Sequence, residues 1–491
     1  MQTSREGVHW TPRTGVVQGL PSLSVIEPQQ FHVPGAEELL DVIVIGAGYA
    51  GLVASRELAI QQKKVLLLEG RDRIGGRTWH STINGFNYEM GGTWIHWHMP
   101  HIYHEMSRYG LQDDWIVSQT PGGEQDFFTL TSYGQQSNMS HERENEMFTK
   151  TWATFCNVDG VLLRDAMTYP LSAELTTKYD HLSCQDRINQ IRDQLTQQEI
   201  GFLEGVLLQM GGGPLDRMGL TDALRWYALG GFTPTGLNDI ALSTRPKSGQ
   251  STIARKIFDH AVRSGLKYSF STPVAKIEDG SYVTVTTRSG QTFMSKKLIC
   301  TIPLNVLGDI TFSPPLSPLK RAAISQGSTQ KCNKIHFDLA GPDMKSWSSL
   351  GSPGKGLISA LADNTTPAND THVVTFGPSA DSKQGMKLKN NIEGIKDALN
   401  HLLPFKRDIK RIVYHDWFND EFSKGTWCYL PPDWVSRYLK AMQQPEGNVI
   451  LANADWSNGW RGWIDGAAQQ GIESASKVVD ALQSVPKSSR L

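Results

Sequence analysis

The feature that most constrains this chain is a glycine-punctuated βαβ unit near its start. Asp41-Val-Ile-Val-Ile-Gly46-Ala-Gly48-Tyr-Ala-Gly51-Leu52 runs an apolar strand into GxGxxG, and Val65-Leu-Leu-Leu-Glu69 follows as a second strand that ends on an acid. With a helix between the two strands, a weak glycine pattern becomes a specific one. Gly46 permits the tight turn, Gly48 lets backbone approach a pyrophosphate, and Gly51 lets the helix pack on the strand. The helix N-terminus offers free N–H groups and the positive end of its dipole to phosphates. Glu69 is placed to accept hydrogen bonds from ribose hydroxyls. A Rossmann-like α/β unit that binds a dinucleotide is expected.

Composition limits the alternatives. At 491 residues the chain has room for about three domains. Lys plus Arg number 48 against 49 Asp plus Glu, for a net charge of −1, with no charge block. There is thus no electrostatic footprint for nucleic acid or an anionic membrane. No apolar run approaches the roughly 20 residues of a membrane span. Five cysteines, Cys156, Cys184, Cys300, Cys332 and Cys428, are an odd set without a CxxC pair. They read as reduced, intracellular thiols.

A lone GxGxxG leaves NAD and FAD both open. The continuation Glu69-Gly-Arg71-Asp-Arg73-Ile-Gly75-Gly76-Arg77-Thr78 resembles the second motif of the flavin-containing amine oxidase superfamily. That resemblance implies FAD, with Arg71, Gly76 and Arg77 at the cofactor and the Arg77 guanidinium as a fixed positive fork by the pyrophosphate. The competing interpretation of Arg71, Arg73 and Arg77 is a solvated loop after a strand. Further along, Tyr88-Glu89-Met90-Gly91-Gly92-Thr93-Trp94 matches the superfamily segment that lies along the flavin, so Gly92, Thr93 and Trp94 join the cofactor set. Val274 matches a position whose backbone meets the adenine.

The resemblance extends over nearly the whole chain and is nearest to the soluble peroxisomal monoamine oxidases of fungi, the N type. It implies an FAD-binding domain of the p-hydroxybenzoate-hydroxylase (GR2) type and an α+β substrate-binding domain, both discontinuous. The expected boundaries are 1–38 for an extended N-terminal arm, 39–98, 245–310 and 445–484 for the FAD domain, 99–244 and 311–444 for the substrate domain, and 485–491 for a tail. Within these, helices are predicted over 183–197, over 200–210 after the capping box Thr196-Gln-Gln-Glu199, over 222–229 and over 252–263. Strands are predicted over 273–277, 281–287 and 297–302, with a hairpin turn at Arg288-Ser-Gly-Gln291. Residues 351–371 read as loop-rich, and 448–482 as strand, loop and helix.

The same resemblance assigns the chemistry. Trp427 and Trp463 match two aromatics that stand perpendicular to the flavin and form a slot for a neutral amine. Both also read as ordinary core tryptophans in a chain with 14. Lys334 matches a lysine that holds a water near flavin N5, with Lys331 as the rival. Trp417 matches an aromatic beside the flavin ring. Asp455 and Trp456 stand where the superfamily has Gly-Thr-Glu, a departure that leaves the pyrophosphate contacts open. Mitochondrial-type relatives attach flavin through a cysteine at the position held here by Thr426, so non-covalent FAD is expected; Cys428 is out of register. The histidines His96, His98, His101 and His104 lack a convergent carboxylate or cysteine, and no metal is expected.

Together these imply oxidation of primary alkyl- or arylalkylamines to aldehyde, ammonia and hydrogen peroxide, with O₂ as second substrate. The alternatives are a secondary-metabolite flavoenzyme that oxidises a C–N bond, a catalytically silent flavoprotein and, disfavoured, an NAD-dependent dehydrogenase. The terminal Ser489-Arg490-Leu491 is a conservative variant of the Ser-Lys-Leu peroxisomal address. It implies a peroxisomal import receptor as partner. Oligomeric state, including a homo-oligomer, is left open.

Overall fold

The computed structural model describes residues 1–118, 122–164, 167, 178–351, 356–378 and 387–483. The tail that carries Ser489-Arg490-Leu491 lies outside the described residues. Two large sheets organise the rest. The first is built around the strand Leu39–Ile45, which runs parallel to Val65–Leu68 on one side and to Thr292–Cys300 on the other. Lys267–Ser269 extends it beyond Val65–Leu68, and Val449–Leu451 pairs in parallel with the end of Thr292–Cys300.

The near-continuous apolar run in Leu39–Ile45 follows from burial of both sheet faces. Val42 and Val44 face a core with Leu52, Val53, Ile253, Ile257 and Ala475, contributed by the helices Tyr49–Ile60, Gln250–Arg263 and Ile464–Gln483. Ile43 and Ile45 face the opposite core with Ile277, Val285 and Leu298. Each fully buried aliphatic side chain contributes about 1.5–3 kcal/mol. The strands Val274–Asp279, Val283–Thr287 and Thr292–Cys300 form an antiparallel excursion at the expected places. The chain reverses at Gly290, whose φ is +85°.

The second sheet centres on Cys332–Leu339, antiparallel to Thr371–Pro378 and Ile409–His415. Helices of segment 141–238 cover part of it. Capping boxes at Ser183/Asp186 and Thr196/Glu199 start the helices Cys184–Ile191 and Gln197–Gly211. Gly212, at φ +61°, ends the latter. The helix expected over 183–197 is therefore shorter and finishes as a 3₁₀ turn at Arg192–Gln194.

Two expectations are corrected. Residues 1–38 are not a plain extended arm. Gln2–Thr11 and Gly15–Ser22 form a hairpin that joins the second sheet through Ile409–His415, whereas Gln30–Phe31 edges the first sheet. Val8 pairs with Gln18 and Trp10 with Val16, and Val8 and Trp10 pack against the core of the second sheet. Residues 351–371, expected to be loop-rich, also carry a strand among their described residues. Ser359–Thr365 is a strand between Ser348–Gly351 and Thr371–Pro378. Its small side chains, Ser359, Ala360 and Ala362, fit a crowded buried position that a propensity for branched residues does not anticipate.

Candidate active site

A long cavity opens at the C-terminal ends of the parallel strands, where an open α/β sheet binds its ligand. It encloses about 1350 Å³ of space free of protein atoms, its open mouth included. At one end lie Gly46, Gly48, Glu69, Gly76 and Val274. Gly46 has φ +100°. Gly48 caps the helix Tyr49–Ile60 without any side-chain hydrogen bond, so the first-turn N–H groups face the cavity uncapped. A Cβ on Gly48 would meet nothing closer than the Gly76 Cα at 4.0 Å, whereas one on Gly51 would lie 1.8 Å from the Gly46 carbonyl oxygen. The two glycines thus answer different needs, space for a ligand and helix–strand contact. Glu69 Oε2 accepts from the Ala47 N–H at 2.6 Å and Oε1 from the Arg71 N–H at 2.8 Å. Burial pushes its carboxyl above the usual range, against the pull of Arg71.

The arginines of the second motif divide. Arg77 borders the cavity and donates to Asn453 Oδ1 at 2.9 Å, Asp455 Oδ1 at 2.7 Å and the Thr426 carbonyl at 2.9 Å. Asp455 also accepts from the Leu304 N–H at 2.9 Å, so its charge is offset within the protein. Arg71 lines the cavity, but its guanidinium is held bidentately by Asp420, at 2.7 Å for each bond, and by Glu6. Arg73 also pairs with Glu6. The cluster Glu6, His415 and Asp420, the one convergent metal-type group among the described residues, therefore already surrounds two guanidinium cations.

The other end is bounded by Gly91, Gly92, Lys334, Trp417, Thr426, Trp427 and Trp463. Trp427 and Trp463 are each half-buried. Trp427 donates from Nε1 to the Met210 carbonyl at 2.6 Å and meets Phe376 edge-on. Trp463 rests on Trp226, with centroids 4.7 Å apart. Lys334 is 2% exposed. Its Nζ contacts Thr93 Oγ1, donates to the Gly91 carbonyl at 3.2 Å and lies 4.9 Å from the Trp94 ring centroid. Burial pulls its ammonium down to about 7, while Glu89 and Asp363 act in the opposite sense. Lys331 is directed at Phe418 instead.

Five residues expected at the cofactor do not line this cavity, Gly51 among them because it packs the helix against the strand turn. Thr93 and Trp94 lie behind it as partners of Lys334. Asp455 acts through Arg77 and borders a separate small polar cavity. Trp456 is wholly buried, donating to the Leu451 carbonyl, because its indole completes the core beneath the sheet. In the histidine run, His96 lies 3.2 Å from Asp239 with the His98 ring 4.5 Å away, and His101 is held by Asp465 at 2.9 Å. Thr301 and Asn453 were not anticipated. Both line the cavity just past the ends of the parallel strands Thr292–Cys300 and Val449–Leu451, so the strand-end rule would have found them.

The sequence profile of the family described as "Flavin containing amine oxidoreductase" matches residues 49–479. The chain belongs to this family. Relatives include a pseudooxynicotine dehydrogenase of Pseudomonas sp, 29% identical over 462 residues, covering 90% of this chain and 87% of the relative. A putrescine oxidase of Kocuria rosea is 26% identical, with 90% and 95% covered. The flavin-containing amine oxidase A of Equus caballus is 23% identical, with 92% and 87% covered. Among solved structures, cyclohexylamine oxidase from Brevibacterium oxydans IH-35A superposes with a TM-score of 0.74 at 19% identity, over 91% of this chain and 100% of that one. The fold is thus a Rossmann-like FAD-binding domain joined to a substrate-binding domain, and family membership implies a flavin. The cavity fits one: a glycine cradle, uncapped helix N–H groups and the Arg77 fork stand at one end, and an apolar aromatic space at the other. No helix among the described residues is long and apolar enough to cross a membrane.

Proposed function

We propose that this protein is an FAD-dependent oxidase of primary monoamines, releasing aldehyde, ammonia and hydrogen peroxide. The observation that carries the reading is that Lys334, Trp427 and Trp463, from three distant parts of the chain, meet in the cavity that begins at Gly46, Gly48 and Glu69. A bound flavin would supply two-electron acceptance from the amine, with O₂ as the final acceptor. Gly46, Gly48, Glu69, Gly76, Arg77 and Val274 would hold its dinucleotide part, with Gly92 and Trp417 along the ring. Trp427 and Trp463 wall an apolar slot that excludes water and favours the neutral amine. Lys334 Nζ, held close to neutrality by burial, presents a proton-bearing group whose cationic form stabilises negative charge as O₂ is reduced.

The Trp-lined end has no carboxylate among the described residues that line it. A second ammonium would go unpaired there, which favours monoamines over the diamine named by the putrescine oxidase relative. Each added methylene in the slot contributes about 0.8 kcal/mol. Non-covalent attachment follows from Thr426 on the cavity wall and from Cys428, whose Sγ lies 3.7 Å from the Asp455 carbonyl and does not line the cavity. Peroxisomal residence rests on Ser489-Arg490-Leu491 and on the need to remove peroxide where it forms; a fluorescent fusion with and without these three residues tests it.

The deciding experiment is anaerobic mixing of the yellow protein with primary alkyl- and arylalkylamines, a diamine and a cyclic tertiary amine. Bleaching of the visible flavin band by the primary monoamines, with colour and peroxide returning on air, supports the proposal. Bleaching by the cyclic tertiary amine alone transfers the assignment to an oxidase of tertiary amines. A band that no amine bleaches rejects the oxidase.

A further inference from the structure

The two tryptophans of the slot stand on loops from separate parts of the chain, 426–430 and 459–463. We propose that Asp222 is a positioning residue that fixes the spacing of these loops and thereby the amine specificity of the slot. This rests on the assignment of Trp427 and Trp463 as slot walls. Asp222 lies on the helix Leu220–Leu229 and is 1% exposed. Its Oδ2 accepts from the Leu430 N–H at 2.7 Å, three residues beyond Trp427. Its Oδ1 accepts from Arg461 Nη2 at 2.7 Å, two residues before Trp463. One carboxylate therefore ties the backbone of the first loop to a side chain of the second.

The loops have little slack between them. Gly462 has φ +82°, and a Cβ there would lie 2.6 Å from the Cys428 carbonyl oxygen. The same helix supplies Trp226, the ring against which Trp463 rests. Arg225 Nη1 stands 2.7 Å from Asp222 Oδ1 as well, so two buried guanidiniums share one carboxylate. Their attraction keeps Asp222 ionised despite its burial. Without the charge, Arg225 and Arg461 repel each other, and the hydrogen bond that still ties the 459–463 loop to this helix is the 3.4 Å one from Arg225 Nη2 to the Arg461 carbonyl. The tryptophan spacing then changes on the scale of an ångström, a displacement that costs on the order of 100-fold in rate when reacting groups are misplaced.

The test is anaerobic flavin reduction by a series of n-alkylamines in native, D222N, R461Q and doubly substituted holoenzymes. In D222N, the amide oxygen still accepts from Leu430 but no longer holds Arg461 by charge. The expected result is native flavin content, a limiting reduction rate lowered about 10-fold or more, and a flattened dependence of affinity on chain length. The double variant should be no worse than the worse single one, since both remove the same tie. A native chain-length profile in D222N overturns the proposal. So does a loss confined to flavin content and melting temperature, which marks a merely structural role. If D222N yields no folded holoenzyme, D222E keeps the charge on a longer arm, and a displaced chain-length optimum is expected; a native optimum overturns the proposal. Failure of any amine to reduce the native protein rejects the oxidase instead, and the clamp is then judged by near-ultraviolet circular dichroism of D222E, where a native tryptophan spectrum overturns it.

Discussion

Gly48 and Gly51 share one motif but respond to different physics, and alanine separates them. A Cβ on Gly51 sits 1.8 Å from a backbone oxygen that has no rotamer to yield. Reaching an ordinary carbon–oxygen contact requires the helix to retreat by roughly 1.5 Å. The cost falls at or above the upper end of overpacking, about 3 kcal/mol. Gly48 has φ −73° and ψ 177°, which any residue adopts, and its Cβ position is open. Loss of a glycine cap and gain in chain stiffness nearly cancel there, each within about 1 kcal/mol. The added methyl instead occupies the space offered to a pyrophosphate. G48A is expected to melt like the native protein without added FAD and to bind FAD at least 10-fold more weakly, or about 1.4 kcal/mol. G51A is expected to melt several degrees lower even with FAD in excess. FAD titration and thermal scans at two FAD concentrations measure both. Native FAD affinity in G48A, or native stability in G51A, would refute the division of roles.

Lys334→Met should leave reduction by amines within a few-fold of native but slow reoxidation by O₂ about 100-fold, read by mixing the reduced protein with oxygenated buffer. His80 accepts from the Ser251 N–H at 3.1 Å through Nδ1, and burial, followed by the charge of Arg245, lowers its ring to about 4. The native state therefore binds fewer protons than the unfolded chain between pH 6.5 and 4. The stability this contributes, about 3 kcal/mol, is complete above pH 6.5 and lost as pH falls toward 4. His80→Gln should flatten that acid limb in denaturant titrations at stepped pH. Arg71→Met should destabilise by about 3–5 kcal/mol, because the buried Asp420 loses its bidentate guanidinium and Glu6 keeps only Arg73. Acid precipitation should release all flavin into the supernatant; flavin retained on the precipitated chain would contradict the assignment of Thr426 and Cys428.

Much of the dinucleotide half is legible because its constraints are local. GxGxxG, the acid at Glu69 and the β signals between 273 and 302 act over short stretches, and the structure places those strands within a few residues of expectation. The amine-facing half is legible only as matched positions. Nothing in the sequence spacing of Lys334, Trp427 and Trp463 brings them together; the second sheet and the returning C-terminal helix do. Asp222 was invisible for the same reason, since its partners at 430 and 461 are more than two hundred residues away. For Arg71 and Asp455 the sequence shows the charge but not the partner that holds it. Asp420 binds the first and Arg77 the second.

The N-terminal hairpin has a mechanical consequence. Gln2–Thr11 belongs to the sheet of the substrate-binding domain, yet Ser4 Oγ binds Asp72 at 2.9 Å and Glu6 binds Arg71 and Arg73, all on the loop after the second strand of the flavin domain. The segment is a clasp riveted to both bodies, and swinging them apart would tear out a buried ionic seam. Any opening of the slot by parting the two domains therefore carries the cost of breaking this seam.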